Sequence, residues 1–208
     1  MAISNGYCTL DEIKSRHGIE LAGADTLDDT ALELAIEAAS REIDRWCRRR
    51  FWRDGSTSAR LYLPDTVLDG VIWIDDYDPA TAITVKSDDD DDGTFETTWV
   101  AGTDYQAEPL NPDVYETGAK WMLRLLGTRS LRSVWSGRPQ LQVTAKWGWP
   151  AVPAAVKQAC MILAFDLFKS KDAPFGVAGT NDFGVLRIRD NPQAKALLAP
   201  YRHPGGVA

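Results

Sequence analysis

Five consecutive aspartates, Asp88, Asp89, Asp90, Asp91 and Asp92, stand directly before Gly93. Acids at alternate positions followed by glycine are how a calcium loop begins: several carboxylate oxygens converge on one hard cation while the glycine takes the sharp turn. Such a loop closes with a bidentate glutamate at its twelfth position, and counted from Asp88 that position is Trp99. The run therefore reads first as a solvent-facing acidic hairpin tip, with adventitious cation binding as the lesser reading and no metal site assigned. A second cluster is basic. Arg48, Arg49 and Arg50 have Arg45 and Arg53 nearby, with Trp46, Phe51 and Trp52 interleaved. Guanidinium forks among aromatics hold phosphates, but they also end helices and build subunit interfaces. Interface or local structure is the stronger reading, because a chain of net charge −7 is a poor general DNA binder.

The search for reaction chemistry is otherwise negative. The two histidines, His17 and His203, lie outside any HxxxH, HExxH or CxxH context, and no GxSxG, Walker A or GxGxxG occurs. An enzyme is not expected, and no cofactor is implied. Cys8, Cys47 and Cys160 are odd in number and widely spaced without a CxxC, which fits buried free thiols in a reducing compartment. Among the eight tryptophans, Trp46, Trp73, Trp121 and Trp147 occur in apolar alternation and read as packing residues. Trp52, Trp135 and Trp149 lie beside turns and are the ones expected to be exposed.

Charge is distributed unevenly. Residues 55–92 hold ten acids against Arg60 and Lys86, a balance of −8, whereas residues 148–208 carry +3. With 208 residues, 44% of them hydrophobic, the chain can bury a substantial core. The apolar run at 159–168 is too short and interrupted to cross a bilayer, and no basic-then-apolar leader opens the chain, so a soluble, cytosol-made protein is expected.

The elements that must position these residues follow from pattern. Thr9, Leu10, Asp11 and Glu12 form a capping box that starts a short helix ending at Gly18. Leu32, Ile36, Ala39, Ile43, Trp46 and Arg50 recur at steps of three and four and predict a helix over 28–50, acidic at its start and basic at its end. After Gly55 the pattern turns to short β runs at 60–63, 71–74, 82–85, 95–100 and 140–147, and 121–126 reads as strand or helix, with strand favoured by the turn residues that flank it closely. The last is clearest: Leu141, Val143, Ala145 and Trp147 alternate with Gln142, Thr144 and Lys146. Helix returns at Pro153, then a loosely patterned stretch runs from Pro174, with a strand-like 185–188, a helix capped by Asn191 and Pro192, and a mobile tail after Pro200. The expected organisation is α+β: a helical-bundle core at 1–54 and 148–208, the latter with a C-terminal arm, interrupted by a β-rich insert at 55–147.

Particular stretches carry a resemblance. Tyr7 to Lys14, the helix from Ala31 through Ile43, Asp44, Arg45, Trp46 and Cys47, Arg50 with Phe51, the Val143 to Pro150 segment ending Trp147-Gly148-Trp149-Pro150, Val152 to Ala159, and Leu197 to Arg202 resemble tailed-phage head-tail connector proteins, also called adaptors or head-completion proteins. The resemblance implies a virion protein, made in the host bacterial cytoplasm, that forms a ring of twelve copies beneath the portal protein. It would extend the DNA channel without sequence-specific binding and offer a surface to the next neck protein, a stopper or tail terminator, with no membrane involved. Candidate interface residues are then Arg45, Arg48, Arg49, Arg50, Trp52, Arg53, Arg187, Arg189, Tyr201 and Arg202, and the acidic run would face the channel or solvent. The basic segment from Pro174 would be an arm that orders on the portal, removable without harm to the fold. The competing expectation is a monomeric calcium-dependent or aromatic-platform binding module.

Overall fold

A computed structural model describes residues 3–17, 26–64, 67–112, 118–131, 137–170 and 191–203. The chain divides into two units, Met1–Arg49 with Val152–Ala208, and Arg50–Ala151.

The first unit is helical. The capping box forms as the sequence dictates: the Glu12 N–H donates to Thr9 Oγ1 at 3.2 Å and the Thr9 N–H to Glu12 Oε2 at 2.9 Å, starting α1 (Leu10–His17). Helix α2 (Thr26–Cys47) buries Leu32, Ile36, Ala39, Ile43 and Cys47 along one stripe and packs on α3 (Ala154–Ser170), which turns Val156, Ala159, Cys160, Leu163 and Ala164 inward. Each fully buried large aliphatic in that seam contributes about 1.5–3 kcal/mol. Helix α2 stops three residues before the expected Arg50, because Arg48 adopts a left-handed φ of 53° and the Arg49 N–H reaches back to the Asp44 carbonyl at 3.3 Å. The short α4 (Pro192–Leu198) is capped by Asn191, whose side chain accepts from the Ala194 N–H. It packs on α3 and leads into a 3₁₀ turn, Ala199–Tyr201.

A helical-bundle core is not what these elements make. Among the described residues only α2 and α3 are long; α1 has eight residues and α4 seven, too short to supply the further heptads that a bundle seam requires. The architecture is mixed α and β, with two antiparallel sheets.

Those sheets form the second unit. One has the order β1 (Ser58–Tyr62), β8 (Leu141–Ala145), β4 (Thr84–Ser87), β5 (Thr97–Thr98); the other runs β2 (Val67–Leu68), β3 (Val71–Tyr77), β7 (Lys120–Leu125), β6 (Tyr105–Glu108). Strand β8 is paired on both edges, Tyr62 with Leu141 on one side and Ser87 with Leu141 on the other. Its alternation is cleanest for that reason: Leu141, Val143 and Ala145 are sealed in the core while Gln142 and Thr144 reach the margin. Ile72, Ile74, Tyr77 and Leu123 of the second sheet join Val85, Leu141, Val143 and Trp147 in one apolar cluster, so the two sheets share a core. A tight turn with Asp69 and Gly70 both at positive φ joins β2 to β3.

The chain's entry to and exit from this unit lie side by side. The Asp54 N–H donates to the Trp147 carbonyl at 2.8 Å, Phe51 and Trp149 rings sit 5.0 Å apart, and the Trp149 indole N–H donates to Asp76 at 3.0 Å. Gly148 is required there. Its φ is +96°, and a Cβ would fall 1.9 Å from the Trp52 carbonyl oxygen.

Candidate functional site

The acidic run forms the loop between β4 and β5, and it is built rather than splayed. Asp88 continues the β4 pairing, its N–H donating to the Gln140 carbonyl at 3.0 Å, and its carboxylate turns back to accept the Asp91 N–H at 2.6 Å and the Gly93 N–H at 2.8 Å. It is 3% exposed, so the expectation of five solvent-facing aspartates fails at this position. Burial works to raise the Asp88 carboxyl, but the N–H groups of Gly93, Asp91 and Asp92 outweigh it and hold the group below the usual carboxylate range. Asp89 accepts from Ser87 Oγ and Thr97 Oγ1, both at 2.7 Å, tying the two sides of the hairpin together, while its N–H donates to Glu96 at 3.1 Å. Asp92 accepts the Thr94 N–H at 2.6 Å, and Asp91 takes a left-handed φ of 68°. Asp90 and Asp92 are exposed.

Carboxylate oxygens of Asp88, Asp90, Asp92 and Glu96 lie within 4.8 Å of one another. Crowding has a visible cost: the charge on Asp92 raises the Asp90 carboxyl above its ordinary value, with desolvation and the charges of Glu96 and Asp88 adding to it. Four acids at this separation could take a hard cation. Glu96 escaped the sequence reading because the calcium-loop template looks for its glutamate at position twelve. The hairpin instead folds position nine back over the run, and only the register between β4 and β5 reveals that.

Most of the arginines are engaged by neighbours within their own unit. In the helical unit, Arg45 is exposed and pairs with Glu42 at 3.0 Å, Arg48 is exposed at the end of α2, and Arg49 is only 6% exposed. Arg202 lies over the Trp46 ring at 5.1 Å, Tyr201 is buried, and the His203 N–H donates to the Cys47 carbonyl at 2.9 Å. Residues 191–203 are thus part of the helical unit, and removal of 174–208 would strip α3 of a packed neighbour, contrary to the expectation that the fold would survive it. In the β unit, Arg50 stacks on Trp52 at 4.4 Å and sits 3.8 Å from Asp54, and Arg53 reaches the buried Asp78 at 2.6 Å. Asp78 also accepts the Ala80 N–H at 3.0 Å. Guanidinium groups neutralised by their own neighbours are poor phosphate clamps, so the arrangement favours local structure over nucleic-acid contact. Arg187 and Arg189, the strand expected at 185–188, and Trp135 lie outside the described residues.

The tryptophans follow their alternation. Trp121 and Trp147 are buried; Trp149, expected to be exposed beside its turn, is 2% exposed because Phe51 and Asp76 enclose it. An aromatic platform needs open rings, which these three do not offer; Trp46, Trp52 and Trp73 are half-buried.

No protein-family model matches the chain, and no curated protein matches it. Solved structures do. A chain in the neck of an empty gene transfer agent particle computed with C6 symmetry is 17% identical, with a TM-score of 0.57, over 100% of this chain and 95% of that one. What the two share is the fold. A chain in the neck of the native particle computed with C12 symmetry matches at 16% identity and a TM-score of 0.52, with the same coverage. A chain of the virion of the native particle matches at 18% and 0.55, again over 100% and 95%. The likeness covers the helical and the β segments alike.

Proposed function

We propose that this chain is a structural head-tail connector of a tailed-phage-type particle, closing as a ring of twelve copies beneath the portal and presenting a surface to the next neck protein. The observation that carries this reading is the whole-length likeness to neck chains of a particle, in which neither the helical segments nor the β unit is left over. The C12 and C6 symmetries of those necks support ring closure by heterologous contacts, in which one face of each copy meets a different face of its neighbour. Uneven charge suits such contacts, with −8 over 55–92 and +3 over 148–208. In this reading the protein resides in the virion after synthesis in the bacterial cytoplasm and performs no catalysis. The exposed Arg45 and Arg48, together with Arg187 and Arg189, serve the contacts to the portal or to the neighbouring copy. Asp89, Asp90 and Asp92 line the passage and repel the DNA that moves through it.

Electron microscopy of the protein mixed with its cognate portal tests the proposal. Rings seated on the portal are expected, and a mixture in which the two never associate sinks it. Arg187→Glu with Arg189→Glu should weaken that association by at least about tenfold, as loss of charge-assisted interface pairs does. The competing calcium-dependent module draws support from the convergence of Asp88, Asp90, Asp92 and Glu96. It predicts a monomer whose melting temperature climbs with micromolar calcium and which ignores the portal.

A further inference from the structure

Cys8 and Cys160 are 152 residues apart in sequence, yet their sulfurs are 3.4 Å apart in the helical unit, both buried and both free thiols. Cys8 ends an N-terminal segment laid along α2: the Ser4 N–H donates to Glu37 at 2.9 Å, Arg41 donates to the Asn5 carbonyl at 2.9 Å, the Tyr7 N–H donates to Ser40 Oγ at 3.1 Å, and the Tyr7 hydroxyl bonds Asp44. Cys160 projects from α3 beneath that segment, with Ser40 Oγ 3.5 Å from its sulfur. A disulfide bond is about 2.05 Å long, so closure asks the sulfurs to approach by roughly 1.4 Å, within reach of a small shift of the segment. We propose that Cys8 and Cys160 are a modification site, closing to a disulfide that staples the N-terminal segment to α3 once the protein leaves a reducing compartment. The inference concerns the chain itself and does not depend on the neck reading.

The oxidant is a low-molecular-weight disulfide. When the segment lifts, the Cys8 thiolate attacks one sulfur of that disulfide and expels a thiolate, which takes up the proton Cys8 lost. As the segment returns, Cys160 gives up its proton and attacks Cys8 Sγ, and the second small thiolate leaves and is protonated. Two protein thiols are oxidised by two electrons and one small disulfide is reduced to two thiols. Lifting the segment is what readies Cys8: in the closed fold its contact with Cys160 and burial raise its thiol, and both are relieved as it moves out. In the resting dithiol the Cys8 S–H lowers Cys160 against the opposing effect of burial; that donor is gone once Cys8 is a mixed disulfide, and the Ser40 hydroxyl and the N–H groups of Tyr7 and Cys8 remain to favour the Cys160 thiolate as the segment returns. Cys47 is the internal control: burial pushes its thiol up to about 12, and it has no sulfur neighbour among the described residues.

The full-length protein, incubated natively with oxidised glutathione, should lose about 2 Da in mass, the two thiol hydrogens, and yield a Cys8–Cys160 peptide on digestion without reductant. Its melting temperature should rise by roughly 5–15 °C, since the bond closes a very long loop. Cys47→Ser should cross-link like the parent chain, and Cys8→Ser should not. The idea is overturned if the native protein keeps all its thiols while the urea-unfolded chain oxidises, if modification halts at a glutathione adduct, or if Cys47 supplies the cross-link. Each of these is read on the unmutated chain, so misfolding of a variant cannot mask the answer.

Discussion

Gly148 is where backbone meets backbone, since a methyl group there would overlap the Trp52 carbonyl outright and the residue already holds φ +96°. Gly148→Ala should therefore destabilise the protein by roughly 2–4 kcal/mol, measured by urea unfolding, more than a surface substitution does. Asp88 makes a different kind of prediction. Its carboxyl is depressed in the fold, so the stability it contributes is present above the unfolded value of about 3.9 and is lost as pH falls through the lower folded value. Asp88→Ala should accelerate hydrogen exchange at the Asp91 and Gly93 amides at neutral pH, and as the Asp88 carboxyl of the parent is protonated in acid its loop should lose this advantage over the variant. The sequence announced this loop, because five aspartates before a glycine suit nothing but a turn or an ion. It concealed which aspartate is buried, since that depends on the pairing of Asp88 with Gln140 across the sheet, some fifty positions away. Trp149 misled for the same reason. A turn flanks it, but its surroundings come from Phe51 and Asp76.

Elements were legible where they carry their own punctuation. The capping box of α1, the Asn191 cap of α4 and the alternation of β8 are local facts that tertiary structure merely uses. Asn191 also donates to Asp166 on α3 at 2.9 Å, so one side chain both starts α4 and seats it. A seven-residue helix has little stability of its own. Asn191→Ala should cost about 1–2 kcal/mol and expose Leu198 and Tyr201, visible as faster proteolysis near the C-terminus. Strands β2 and β6 escaped the sequence because they are two and four residues long and are made strands by β3 and β7 beside them. The end of α2 was misplaced because the apolar period runs on through Arg50, while the left-handed Arg48 breaks the helix without a glycine to mark it.

For the whole molecule, the division into helical and β-type stretches is plain from composition, but the number of long helices is not. The segment from 148 onward looked able to complete a bundle and supplies one long helix and one short one among the described residues. The charge map is sharper than the net charge of −7 and sets a prediction for assembly. If oppositely charged faces join copies in a ring, portal-bound rings should thin out as salt rises from about 0.05 to 0.5 M, as contacts screened over a Debye length of 14 to 4 Å do. The adjacency of Asp54 and Trp147 has a consequence of its own. A unit whose incoming and outgoing segments already meet, at Asp54 and Trp147, can be rewired. A circular permutant of residues 50–151, its old ends bridged by a few glycines and new ends opened at the exposed Asp69 and Gly70, should keep both sheets, and circular dichroism would show it.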